Sequence, residues 1–262
     1  MKVIASIAIF AIAIGLIGTM YAQATPGPGL LPNLMTAVPK HLQIQNSHQT
    51  ETLRFSNGIA NVGPGALQLR PVFPSDPSGT QDAYQDILDA NGNIVDSVLV
   101  SQFEFHPAHN HWHIADVAEF SVHKGSVDGP LIGNSLKVTF CLIDWYKMDG
   151  NTNSKDRVYF ECERGLQGIS KGWIDQYHQS LEGQEINITG AAPGDYYLVS
   201  TANFAGRFQE SDYTDNTAWI HFKLTRDSKG NAKITELDHS DCNIAANPAY
   251  WNALCGNIPL NR

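Results

Sequence analysis

The chain has 262 residues, of which 42% are hydrophobic and 16% charged, and its formal net charge is −9. This composition excludes a wholly disordered chain and is typical of one large all-β domain or two small domains. A nucleic-acid-binding protein needs a basic surface, so the acidic balance predicts no nucleic-acid partner. The 22 glycines and 13 prolines favour frequent turns over a helical bundle.

Residues 1–24 have the pattern of a secretory signal peptide. Lys2 precedes an apolar run at residues 3–22, and Ala22-Gln23-Ala24 supplies the small residues of a cleavage site. Because about 20 apolar residues also span a bilayer, membrane attachment through residues 3–22 is the alternative if the leader stays uncleaved. In both cases we expect residues 25–262 to form a single domain that is secreted or otherwise extracytoplasmic.

The four cysteines predict disulfide bonds. They are Cys141, Cys162, Cys242 and Cys255. An even number of cysteines in an exported chain favours disulfides, and four cysteines allow three pairings. The sequence-local pairing, Cys141 with Cys162 and Cys242 with Cys255, closes two short loops. The alternative is a four-thiolate zinc site, although the spacings typical of such sites are absent.

From residue 53 onward the sequence predicts an all-β fold, an antiparallel β-sandwich with long loops and few short helices. Leu53 and Phe55 alternate with polar residues, and the Asn91-Gly92 pair predicts a hairpin within residues 84–100. We interpret residues 25–50 as a loop-rich lead-in and expect a short helix near residues 173–181. Further strands are predicted at residues 66–69, 102–122, 136–143, 184–188, 196–202 and 218–225.

A histidine array is the strongest functional signal in the sequence. His109, His111 and His113 occupy alternate positions, which places their imidazoles on one face of a strand. Three imidazoles with open positions suit a catalytic metal, and an oxidising compartment favours copper. Residues i and i+4 lie about 13 Å apart on a flat strand, so either the backbone bends, twists or bulges, or only two of the three histidines bind one metal. Pro107 is a candidate cause, and His106, of opposite parity, is expected in a supporting role.

Segments in a fixed order resemble the lysyl oxidase family over roughly residues 30–225. The histidine array lies in one of them. The matching segments are PNL at residues 32–34, LRFS at 53–56, FEFHPAHNHWH at 103–113, KVTFCLID at 137–144, GISKGWIDQY at 168–177, PGDY at 193–196 and ESDYTDN at 210–216. The chain departs from the family pattern at Ala108, where the family has a cysteine, and in a polar insertion at residues 145–159. Both sequence-local cysteine pairs match positions of the family.

The resemblance implies copper ligands at His109, His111 and His113. It also implies that Lys137 and Tyr177 combine into the cofactor lysine tyrosylquinone. On this basis we expect a copper amine oxidase that converts primary amines, either lysyl side chains or small amines, to aldehydes. Its other substrate is dioxygen, and its other products are ammonia and hydrogen peroxide.

Two questions stay open at the level of sequence. The reaction needs a catalytic base, for which Asp116, His178 and Asp212 are candidates, although residues 210–216 also read as an ordinary turn. The alternative functions are an exported copper-binding β-sandwich that never matures its quinone and an adhesion module with a structural metal. Peroxide release from an amine distinguishes the oxidase from both alternatives.

Overall fold

The computed structural model describes residues 27–47, 49–72, 79–107, 110–135, 139–150, 156–163, 165–242 and 247–257. The predicted leader lies outside these ranges, as do His109 and Lys137. Strands dominate the described residues and every strand pairing among them is antiparallel, which confirms the all-β prediction. No helix in the described part of the chain has the length and apolar character needed to cross a membrane.

The described chain forms seventeen strands and two short helices. In chain order the strands are β1 (Leu34–Thr36), β2 (Lys40–Ser47), β3 (Thr50–Asn61), β4 (Leu67–Pro71), β5 (Thr80–Leu88), β6 (Ile94–His106), β7 (His111–Ala115), β8 (Ala118–Lys124), β9 (Leu131–Asn134), β10 (Thr139–Phe140), β11 (Tyr146–Lys147), β12 (Gln167–Ile169), β13 (Trp173–Tyr177), β14 (Glu185–Asn187), β15 (Gly194–Ala202), β16 (Thr217–Arg226) and β17 (Ala232–His239). The helices are a 3-10 turn (Pro248–Tyr250) and α1 (Trp251–Leu254).

The first sheet is assembled around β3. Strands β1 and β13 pair with its second half, β2 and β14 pair with its first half, and β11 extends β13. The helix expected near residues 173–181 is therefore wrong, because β13 lies there. Trp173 and Ile174 are buried between two paired neighbours, and this non-local pairing outweighs local preference. The lead-in also contains β1 and β2, which depend on β3 in the same way.

The second sheet runs in the order β10-β7-β6-β5-β4-β12. Its longest contact is the hairpin of β5 and β6, which confirms the prediction from Asn91 and Gly92. Gly92 has φ of +82°, the left-handed conformation that glycine adopts without steric cost. This sheet places β7, which contains His111 and His113, between β6 and β10.

The third sheet runs in the order β17-β16-β15-β8-β9 and has a regular centre. Strand β15 pairs without a register shift along eight residues of β16 and seven of β8. The predicted strands at residues 196–202 and 218–225 are the centres of β15 and β16. Strand β17 was not predicted from the sequence, because it is an edge strand whose residues are mostly exposed and polar.

A row of aromatic rings joins the three sheets in the core. The ring centroid of Phe120 in β8 lies 4.9 Å from that of Phe55 in β3 and 6.2 Å from that of Phe140 in β10. All three side chains are at most 1% exposed. The sheets therefore share one continuous core, and its row of rings ends beside the histidine array.

The four cysteines form two disulfides, Cys141–Cys162 and Cys242–Cys255, which is the sequence-local pairing. The first joins the residue after β10 to the loop before β12. The second joins residues after β17 to α1. The entropy model assigns about 3 kcal/mol of stabilisation to a loop of either length.

Candidate active site

The histidine array is divided by a chain reversal. Strand β6 ends at His106, β7 begins at His111, and these two residues are paired across the hairpin. The N–H of Asn110 donates to the carbonyl of His106 at 2.9 Å, and Asn110 has φ of +56°. Asparagine tolerates this left-handed conformation better than most residues. The array is thus not one flat strand, in agreement with the expected bend.

His111 and His113 lie side by side on one face of β7. Their Nε2 atoms are 2.9 Å apart and their ring centroids 4.9 Å apart. Trp112, between them, points the opposite way and is only 1% exposed. Its ring contacts Phe105 edge to face at 5.3 Å. This packing fixes the strand, so that alternation presents both imidazoles on the same side.

The donor chemistry of this pair fits a copper ion. Two metal–nitrogen bonds of about 2.0 Å that meet near a right angle separate their nitrogens by about 2.8 Å, close to the separation of the pair. His109, the third expected ligand, lies outside the described residues. Within the described ranges no group of three or more His, Cys, Asp or Glu side chains is placed to hold a metal ion.

Neighbouring side chains orient His113, which is 6% exposed. Thr139 Oγ1 in β10 lies 3.4 Å from His113 Nδ1, on the ring edge opposite the His111 contact. The ring of His106 stacks against His113 with centroids 5.2 Å apart and planes inclined by 26°. Contacts of this kind hold an imidazole in the orientation that a metal requires. His106 therefore adjoins the pair from the neighbouring strand.

Tyr177 lies at the end of β13 and packs against the segment that contains β10. Its ring contacts Phe140 edge to face, with centroids 4.9 Å apart. Its hydroxyl donates to the carbonyl of Cys141 at 2.6 Å. Tyr177 is therefore the last ring of the aromatic row through the core. Lys137, its expected partner, lies outside the described residues.

Tyr177 and the two histidines line the same cavity, whose volume is about 270 Å³. Trp145, Ile143 and Leu181 add apolar wall to it. The cavity is lined by His111, His113, Cys141, Ile143, Trp145, Cys162, Asp175, Gln176, Tyr177, Leu181 and Glu182. Two predicted ligands and a predicted cofactor precursor, far apart in the chain, thus line one pocket.

Asp144 fixes the wall behind this cavity. Its buried carboxylate accepts hydrogen bonds from the N–H groups of Val158 and Tyr159 at 2.9 and 3.2 Å. It also accepts the N–H and the hydroxyl of Ser170 at 2.7 and 2.8 Å. One carboxylate therefore anchors both the end of the polar insertion and the segment that leads into β13.

Asp175 is the functional candidate that the sequence interpretation missed. It lies two residues before Tyr177 in β13, is 2% exposed and lines the cavity. Burial raises the pKa of the Asp175 carboxyl well above its usual range. Burial also raises the pKa of the Tyr177 hydroxyl, and the neighbouring Asp175 adds to this rise. A strand at residues 173–177 would have placed Asp175 on the same face as Tyr177. This relation was missed because the segment was expected to be a helix.

The three candidate bases named from the sequence are not among the described residues that line the cavity. Asp116 forms an ion pair with Arg207 at 3.4 Å. Asp212 accepts hydrogen bonds from the backbone and hydroxyl of Thr214, within an exposed turn. The ring of His178 forms a hydrogen bond with the Ser180 hydroxyl at 2.8 Å. The structure thus favours the turn interpretation of residues 210–216.

Comparison with known proteins decides the family. The sequence model of the lysyl oxidase family matches residues 90–234, more than half of the chain. The chain belongs to the lysyl oxidase family. The match includes the histidine array, both β10 and β13, and most of the third sheet.

Individual relatives agree with this assignment. Lysyl oxidase homolog 1 of Homo sapiens is 33% identical over 139 residues, which are 51% of this chain and 23% of that protein. Protein-lysine 6-oxidase of Sus scrofa is 33% identical over 129 residues, 47% of each chain. Protein-lysine 6-oxidase of Homo sapiens is also 33% identical over 129 residues, which are 28% of that protein. The chain thus spans less than half the length of each of these lysyl oxidase relatives.

Proposed function

We propose that this lysyl oxidase family member is a copper-dependent amine oxidase. It converts primary amines, either lysyl side chains or small amines, to aldehydes and releases ammonia and hydrogen peroxide. The observation that carries the proposal is the shared cavity, which the paired histidines His111 and His113 line together with Tyr177. The relatives named protein-lysine 6-oxidase support an oxidase of this class.

The proposed copper ligands are His109, His111 and His113. Two of them already present ring nitrogens at a separation suited to one ion. When bound, copper supplies the redox chemistry with dioxygen that builds the cofactor from a phenol. Thr139 and His106 then serve to hold the His113 ring in position.

The proposed cofactor is lysine tyrosylquinone, formed from Lys137 and Tyr177. The support is positional, because Tyr177 contacts Phe140 and Cys141, three and four residues after Lys137 in the sequence. When formed, the quinone supplies a carbonyl for the amine and a sink for its electrons. Tyr177 is held on two sides, by the Phe140 ring and by the Cys141 carbonyl, which limits the motion of its ring.

The cavity suits an aliphatic amine. Ile143, Trp145 and Leu181 give the hydrocarbon chain an apolar contact and exclude water from it. Asp175 places a carboxyl group in the same pocket, and the net charge of −9 favours the approach of a cation. We further propose that the protein works outside the cytoplasm, secreted after cleavage of residues 1–24 or attached through residues 3–22.

The test measures peroxide release from the copper-loaded protein with n-butylamine and with a lysine-containing peptide. We expect turnover that a carbonyl reagent blocks, and an intact mass that reports a cross-link between Lys137 and Tyr177. Tyr177→Phe and Lys137→Ala should abolish turnover and retain copper. Tyr197→Phe and Lys124→Ala in the third sheet are matched controls that should keep full activity.

Three results contradict the proposal. Full activity in Tyr177→Phe or Lys137→Ala would remove these residues from the cofactor. Tight copper binding without peroxide release from any amine would instead support a copper-binding β-sandwich that does not mature its quinone. Absence of copper binding would leave an adhesion module as the surviving alternative.

A further inference from the structure

Asp175 has an unusual hydrogen-bonding state for a buried carboxyl group. One side of the carboxyl accepts hydrogen bonds from the backbone N–H groups of Ile143 and Gln176, and the Tyr177 hydroxyl lies beside it. Its Oδ2 is buried and has no hydrogen-bond partner among the described residues. Buried polar atoms are nearly always paired, so an unpaired carboxyl oxygen at the wall of a cavity points to a missing ligand.

The geometry of Tyr177 leaves that oxygen for a ligand. The single phenolic proton is donated to the Cys141 carbonyl at 2.6 Å, so it is not available to Asp175 Oδ2. Asp175 and Tyr177 are two residues apart in β13, so their side chains lie on the same face of the strand, and both line the cavity. No donor among the described residues reaches Oδ2, and a ligand that enters through the cavity with a donor of its own can satisfy it.

We propose that Asp175 binds the ammonium group of the substrate amine and takes one proton from it. The ammonium N–H bond breaks, its electron pair stays on nitrogen, and the proton forms an O–H bond with the carboxylate. An ammonium cation and a carboxylate anion become a neutral amine and a carboxylic acid, so atoms and charge balance. The inference rests on the proposed function, since it assigns the residue that prepares the amine of that reaction.

The environment of Asp175 suits this transfer. An alkyl ammonium group has a pKa of about 10.4, far above that of an ordinary aspartate, so a solvent-exposed carboxylate is too weak a base. Burial raises the pKa of Asp175, and the nearby charge of Asp144 adds to the rise. The raised pKa of Asp175 reduces the difference from the pKa of the ammonium group. The apolar wall of the cavity favours the neutral amine and carboxylic acid over the ion pair.

The other titratable groups that line the cavity are less suited than Asp175 to bind an ammonium group. Glu182 also lines it but is exposed, so water screens its charge. His111 and His113 repel an ammonium group when they are protonated, and Tyr177 is a weaker acid than usual. Asp175 is thus the buried carboxyl in the described cavity wall, and Glu182 is its matched exposed control.

The decisive experiment is calorimetric titration of copper-free full-length protein with n-butylamine hydrochloride. Hydrogen bonds to a charged group lead us to expect at least about tenfold weaker binding in Asp175→Asn, and a change below about threefold in Glu182→Gln. Asp175→Glu, which keeps a carboxylate, should recover part of the affinity. n-Butanol has no charge to lose and should bind wild type and Asp175→Asn equally.

The pH dependence tests the proton transfer. Only ionised Asp175 can accept a proton, and its pKa is raised, so amine binding should weaken as pH falls through that raised value. The midpoint should disappear in Asp175→Asn and persist in Glu182→Gln. A midpoint that persists unchanged in Asp175→Asn would overturn the assignment of the proton acceptor to Asp175.

The outcomes separate this inference from the proposed function. With copper and cofactor in place, Asp175→Asn should lower kcat/KM at least about 100-fold while copper content and the cross-link stay unchanged. Unchanged amine affinity in a folded Asp175→Asn protein, or loss in Glu182→Gln instead, overturns the inference. Failure of the wild type to release peroxide contradicts the proposed function, and the copper-free titration still decides the role of Asp175.

Discussion

Two regions of the molecule are built from antiparallel strands but differ in strand length and in the residues that they bury. In the ladder sheet, β17-β16-β15-β8-β9, buried and exposed residues alternate along the long strands β15 and β16, and β15 pairs with both of its neighbours in unbroken register. The cavity side, comprising β7, β10, β11, β13 and the loops between them, has strands of two to five residues. The core aromatic row connects the two regions.

The difference shows what a reactive site requires from a β-fold. A long strand sends every second side chain into an apolar core, which leaves little room for buried charge. On the cavity side the strands are short, and buried polar residues such as Asp144, Asp175 and His113 collect there. The regular sheet gives rigidity, whereas the interrupted region places polar groups where a ligand can reach them.

The largest expected effect comes from removing one histidine of the pair. His111→Ala leaves one of the two paired nitrogens, so we expect at least about 100-fold weaker copper binding and no cofactor formation. Metal analysis and the visible absorption band measure both. His123→Ala, in the ladder sheet, removes a histidine bonded to Gly129 and Ser121 and should leave both unchanged. An intact quinone band in His111→Ala would contradict the assignment.

Breaking each disulfide separates stability from site geometry. The double variants Cys141→Ser/Cys162→Ser and Cys242→Ser/Cys255→Ser should each lose about 3 kcal/mol in denaturant unfolding. Only the first pair lines the cavity, so only its loss should also reduce copper retention and turnover. Equal activity losses in the two variants would show that the cavity wall does not depend on Cys141–Cys162.

Replacing a buried carboxylate tests the anchoring of the cavity wall. Asp144→Asn weakens a group that accepts four hydrogen bonds, and we expect a loss of about 2 kcal/mol in the free energy of unfolding. Asp227→Asn is the control, because Asp227 also accepts several hydrogen bonds but lies in an exposed hairpin turn of the ladder sheet. The free energy of unfolding should fall by about 1 kcal/mol or less in Asp227→Asn. Equal losses would mean that burial adds nothing at Asp144.

The smallest effect is expected at Thr139. Thr139→Val keeps the shape of the side chain and removes the contact with His113 Nδ1, so copper affinity should fall about tenfold. Thr201→Val removes a hydroxyl pair with Thr217 on the ladder sheet and should leave copper affinity unchanged. Competition with a chelator measures both variants. An unchanged affinity in Thr139→Val would show that His106 stacking alone orients the His113 ring.

The sequence by itself determined the class of fold and identified residues of the candidate site. Alternation and turn residues predicted β15, β16 and the hairpin at Gly92, because these signals are local and repeat along the chain. The spacing of His111 and His113 likewise placed both imidazoles on one face. Each of these inferences needs only neighbours within a few residues.

Only the tertiary structure decided what depends on distant partners. Residues 173–177 became a strand because β3 and β11 pair with them, and that strand turns Asp175 toward the cavity beside Tyr177. No local pattern reports a partner more than a hundred residues away, so the same residues were expected to be a helix. The physical reason is that backbone hydrogen bonds across a sheet, and the burial that accompanies them, outweigh the small preferences of single residues.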